Sequence, residues 1–202
     1  STAFKVDTGG YIEAKYINMK DIAQIGFRAD GGKVVAENVT MKDLGSHAIY
    51  NMEGDITITG AKIDTIAKNA IQQRGGNTTL KDVEVDHIGN HAAYIALGKV
   101  TVTDSAFKNM EGNGFYLIEG DNEAILKNVV LDGVKKQGIN NQSKMTIDGL
   151  TVKNVVQNGI FNKEKGTIVA KNVEISKVGE HGVNNYNTMT LTDAKISDTG
   201  KG

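Results

Sequence analysis

The sequence contains no cysteine, no proline and no tryptophan, and only 5% of its residues are aromatic. Without cysteine the chain has no disulfides to staple a small core and no thiolate to serve as metal ligand or nucleophile. Without proline nothing removes a backbone donor, which suits strands paired on both sides. No apolar run approaches the roughly 18 residues that a membrane-spanning helix requires. Neither sign of charge is in excess: 23 basic and 24 acidic residues leave a net charge of −1, and the charges are dispersed. A nucleic-acid binder carries a basic stripe, so no nucleic acid is expected as partner, and no membrane insertion. Ser1 to Gly10 does not read as a secretory leader, so any targeting signal is expected to lie outside these 202 residues.

What the chain does have is a repeat. The segment Asn38-Val39-Thr40-Met41-Lys42-Asp43-Leu44 recurs in kind as Asn172-Val173-Glu174-Ile175-Ser176-Lys177-Val178. An apolar anchor falls at Ile22, Leu44, Ile66, Ile88, Met110, Val134, Val155 and Val178, in steps of 21 to 24 residues, with a weaker last copy at Thr199. A fixed period in this range marks a solenoid. Apolar residues alternate with polar ones in runs such as Ile56-Thr57-Ile58-Thr59 and Met189-Thr190-Leu191-Thr192. That is the period of a strand with one buried face. Three short strands fit in about 22 residues and a helix does not. The predicted fold is therefore all-β: a right-handed parallel β-helix, triangular in section, of about nine coils with three strands per coil. Residues 1–202 form one unbroken β-helix segment, expected to be a piece of a longer repetitive protein.

Columns of the repeat specify the bends. Before the third strand only the smallest residues occur: Gly26, Ala48, Ala70, Ala92, Gly114, Gly138, Gly159 and Gly182. Gly32, Gly54, Gly76, Gly98 and Gly120 mark the turn into the next coil, where glycine's access to positive φ is expected to be needed. The column ahead of the third strand reads His47, Asn69, His91, Asn113, Gln137, Asn158 and His181, flat side chains that stack as a ladder from coil to coil. Asn51, Gln73, Asn141, Asn162 and Asn185 form a second, partial ladder.

The polar columns argue against catalysis and against metal. Three of the four histidines are ladder members, on coils two or more apart. Coils two apart are separated by roughly 10 Å, too far for one ion with bonds near ~2 Å. No metal and no cofactor is expected. Asp64 and Asp86 fall on successive coils, a formal pair for glycoside hydrolysis. Their column also carries Lys42, Lys108 and Lys153, so it reads as a charge-balanced outer face.

The Asn158-Gly159-Ile160 and Gln137-Gly138-Ile139-Asn140-Asn141 segments resemble the generic coils of the pectate-lyase-like β-helix superfamily, and the resemblance runs through the whole chain. It implies a fold and no particular activity. The lyases of that family use an Asp cluster for calcium and a catalytic arginine near an R-x-P-x-x-R segment; the polygalacturonases use N-T-D, an Asp pair and R-I-K. This chain has two arginines, Arg28 and Arg74, no proline and none of those segments. No catalytic residue carries over. The chain is most similar to the non-enzymatic branch, the stalk and passenger regions of bacterial surface adhesins and autotransporters.

One outward column remains. It reads Arg28, Tyr50, Gln72, Tyr94, Tyr116, Asn140, Phe161 and Asn184, an aromatic stripe with polar interruptions. Exposed tyrosine is a common contact residue. The expectation is a non-catalytic, extracellular or cell-surface adhesin segment. Tyr50, Tyr94, Tyr116 and Phe161 would meet a glycan or protein on a host or neighbouring cell, with self-association of the rod as a further contact. The alternative is a polysaccharide lyase or hydrolase whose catalytic coils are degenerate or missing.

Overall fold

A computed structural model describes residues 1–201. Short and long strands alternate along the chain. They begin β1 (Phe4–Asp7), β2 (Tyr11–Ile22), β3 (Phe27–Asp30), β4 (Lys33–Leu44), β5 (Ile49–Asn51) and β6 (Asp55–Ile66). The middle comprises β7 (Ile71–Gln73), β8 (Asn77–Ile88), β9 (Ala93–Ile95), β10 (Gly98–Met110), β11 (Phe115–Leu117) and β12 (Asn122–Val134). The last coils are β13 (Ile139–Asn141), β14 (Lys144–Val155), β15 (Ile160–Asn162), β16 (Thr167–Val178), β17 (Val183–Asn185) and β18 (Thr188–Thr199).

All odd strands form one parallel nine-stranded sheet and all even strands another, each in chain order among the described residues. The anchors pair down the stack, Leu44 with Ile66, Ile66 with Ile88, Val134 with Val155, and Val155 with Val178. Met41, Ile58, Val85, Phe107, Leu131 and Ile175 point inward and are fully or almost fully buried. The 24-residue step between Met110 and Val134 is absorbed in the turn between Leu117 and Asn122, and the register on either side is unbroken. The solenoid of about nine coils is therefore as expected.

The three strands expected per coil are two in the hydrogen-bonded sense. The first two are joined into one long strand that carries left-handed residues at two positions. The first position holds Tyr16, Asn38, Gly60, Asp82, Asp104, Asn128, Gly149, Asn172 and Asp193. The second holds Asp21, Asp43, Thr65, His87, Asn109, Gly133, Asn154, Lys177 and Asp198. Asn, Asp and Gly tolerate that region best. Register skips the left-handed residue and then resumes, as between Lys15↔Glu37 and Ile17↔Val39. The chain thus changes direction without ending the strand.

A second correction concerns glycine. Gly76 and Gly98 have positive φ, whereas Gly32 and Gly54 do not. At Gly54 the constraint is space: a Cβ would lie 2.3 Å from the Gly32 carbonyl oxygen of the preceding coil.

Candidate functional site: the outer face of the short-strand sheet

The short strands are only three or four residues long, so each offers one outward side chain at its middle. Register places those residues in one line: Arg28↔Tyr50, Tyr50↔Gln72, Gln72↔Tyr94, Tyr94↔Tyr116, Tyr116↔Asn140 and Asn140↔Phe161. Tyr94 and Tyr116 meet edge to face, with ring centres 5.5 Å apart. Tyr50 is cut off from them by Gln72, and Phe161 by Asn140. Cations lie over both ends of the row. The Arg28 guanidinium is 5.4 Å from the Tyr50 ring centre, and Lys163 Nζ is 5.6 Å from Phe161 and 6.0 Å from Tyr116.

The rings are half-buried, and the two polar residues between them are more deeply buried than an outward column predicts, Gln72 at 6% and Asn140 at 7% exposure. Gln72 Oε1 accepts from Asn69 Nδ2 at 2.7 Å, while its Nε2 has no partner. Asn140 Nδ2 reaches Gln137 Oε1 at 3.4 Å, and its Oδ1 has none.

The row rests on the ladder. The Asn69 amide donates to His47 Nδ1 at 3.3 Å, the His91 amide to Asn69 Oδ1 at 3.0 Å, and the Asn113 amide to His91 Nδ1 at 2.8 Å. A ring nitrogen that accepts from a backbone amide must be unprotonated, so both imidazoles are neutral. Burial pushes His47 and His91 down to about 4, with Lys68 and Arg74 adding to the effect at His47 and Lys136 at His91. The ladder rings also brace the stripe: His47 lies 5.6 Å from Tyr50, and His91 lies 6.2 Å from Tyr94 and 5.4 Å from Tyr116. In the second ladder Asn141 donates to Asn162 Oδ1 at 2.9 Å and Asn162 to Asn185 Oδ1 at 2.7 Å. Ile95 and Leu117 interrupt it and are fully buried.

On the other sheet Asp64 and Asp86 are register partners. His87, whose role the sequence did not reveal, lies over both. Its Nδ1 is 2.8 Å from Asp64 Oδ1 and 3.5 Å from Asp86 Oδ1. Lys42 stands 3.7 Å from Asp64, and Asn109 donates to Asp86 at 2.7 Å. The Asp64 hydrogen bond, then the Asp86 charge, raise His87; the same bond to His87 lowers Asp64. The signal was present in register alone, because a left-handed His87 one residue past Asp86 turns its ring toward the coil before. Among the described residues no group of three or more His, Asp or Glu is arranged to hold a metal ion.

The family model described as "Right handed beta helix region" matches residues 2–144. Beyond residue 144 the strands β14 to β18 continue the same stack in register. Neither a curated protein nor a solved structure matches the chain.

Proposed function

The chain belongs to the right-handed β-helix family, and from that premise we propose that it is a non-catalytic segment of a bacterial cell-surface or secreted adhesin. The rod holds the row Tyr50, Tyr94, Tyr116 and Phe161 against a glycan or protein on a host or neighbouring cell. The observation that carries this reading is the row itself. Half-exposed rings stand in one line on the short strands, braced from the side by a neutral histidine–asparagine ladder. Rings fixed in this way lose little freedom on contact, which favours binding.

The double variant Tyr94→Ala/Tyr116→Ala tests it. Adhesion of the purified chain to target cells should fall at least several-fold, with thermal melting lowered only by the lost ring pair, about 0.5–1.5 kcal/mol. Unchanged adhesion would return the row to a purely structural role.

The Asp64–His87–Asp86 cluster favours a second reading, glycan cleavage. Against it, both carboxylates already have partners in Lys42, His87 and Asn109, and no arginine stands in their register column, which holds Lys42, Lys108 and Lys153. Incubated with polygalacturonate and calcium, the chain is expected to release no unsaturated product. Release that disappears in Asp64→Asn would establish the enzymatic reading instead.

A further inference from the structure

At the end of the aromatic row the surface opens into a recess of about 280 Å³. It lies where three successive coils leave their short strands. Gln142, Lys163 and Tyr186 each follow one of those strands directly. Their amides are pinned to the coil before: Gln142 N–H to the Leu117 carbonyl at 3.0 Å, Lys163 to Asn141 at 2.8 Å and Tyr186 to Asn162 at 2.8 Å. Phe161 closes one side, with its ring centre 5.7 Å from that of Tyr186 in an edge-to-face arrangement. Glu119 and Glu164 supply carboxylates to the lining.

The lining selects a ligand by elimination. Tyr186 is 64% exposed, a large ring set edge-to-face with Phe161 and otherwise open to solvent. Such a ring prefers an apolar face laid on it. Lys163 lies over two aromatic rings, and Lys163 and Glu164 have no ion-pair partner among the described residues, whereas Lys165 pairs with Glu119 at 3.8 Å. A wholly apolar ligand would desolvate Lys163 and Glu164 with no compensation. An anion would face Glu119 and Glu164, and a cation would compete with Lys163 for the rings. The complement is a neutral group with a donor, an acceptor and an apolar patch together. An acetamido group has all three, and a pyranose ring carries the flat apolar face. The volume is at the small end for ligand sites, which begin near roughly 300 Å³, and so fits one sugar residue.

We propose that this recess binds the N-acetylated amino sugar of a cell-surface glycan. The pyranose stacks on Tyr186 and the acetamido methyl lies against Phe161. The acetamido N–H donates to a carboxylate of Glu164 or Glu119, and its carbonyl accepts from Lys163 or from Gln142 Nε2. The inference rests on the reading of the aromatic row as the contact face, and it gives that face an end-group specificity.

The test is titration of the full chain with methyl N-acetylglucosaminide, methyl glucoside and methyl galacturonoside, followed through backbone amide NMR shifts. Saturable shifts confined to Gln142, Phe161, Lys163 and Tyr186 are expected with the N-acetylated sugar. It should bind about tenfold tighter than the other two, and Tyr186→Ala should lose about tenfold, the upper end of one ring contact. Tyr186 is exposed, so that variant should stay folded and melt only about 2–4 °C lower, from the lost ring pair with Phe161. Equal affinity for the three sugars, shifts elsewhere or no saturation would overturn the proposal. Its failure is separable from that of the adhesin reading. If Tyr94→Ala/Tyr116→Ala abolishes adhesion while no sugar binds, the adhesin stands and the recess falls. If the sugar binds here while adhesion ignores both sets of variants, the recess stands and the adhesin falls.

Discussion

His47 and His91 act here as hydrogen-bond acceptors, in positions that asparagine fills on neighbouring coils. Their folded values near 4 lie below the unfolded histidine value of about 6.5. The unfolded chain therefore binds more protons between those values, and the stability due to neutral His47 and His91 is full above about pH 6.5 and drains as pH falls toward 4. The loss by pH 4 is on the order of 3 kcal/mol for each. His87 works in the opposite sense: Asp64 raises it, so its small, exposed contribution is present below pH 6.5 and disappears above its folded value. The expected outcome is a melting temperature that drops steeply from pH 7 to pH 4.5. The drop should be clearly shallower in His47→Asn/His91→Asn, whose new residues match Asn69, Asn113 and Asn158. Parallel pH curves for the two proteins would show that folding does not hold the ladder histidines below their unfolded value.

At the scale of the strand, sequence and structure part company in an instructive place. The inward columns were legible because burial repeats with the coil: Met41, Ile63, Val85 and Phe107 follow one another at one position and are all buried. The asparagine ladders were legible for the same reason. The joining of two expected strands into one was hidden, because Asn38 and Asp82 look like turn residues that end a strand. In the fold they turn the chain at φ near +55° while pairing resumes at the next residue. The depth of Gln72 and Asn140 was hidden too. Alternation within a strand says which way a side chain leaves the sheet, not how far the rings of the coils above and below close over it. Tyr186 escaped notice because it stands outside any strand, in a turn whose position only the coil-by-coil register reveals.

Taken as a whole molecule, the chain is one coil stacked on itself, and a residue's role follows from its column rather than its distance along the chain. Val155 and Val156 put that claim to its sharpest test, being adjacent, identical in side chain, and 3% against 58% exposed. Val155 stacks between Val134 and Val178, while Val156 leaves the sheet toward solvent. Val155→Asp would bury an unpaired carboxylate between coils, at a cost of several kcal/mol. Val156→Asp should change stability by about 0.5 kcal/mol or less. The decisive measurement is the thermal melting of the two variants side by side. The account predicts Val155→Asp unfolded or melting at least ~10 °C below the parent, and Val156→Asp within about 2 °C of it. Two variants melting together would contradict the stack of columns on which both the contact face and the recess depend.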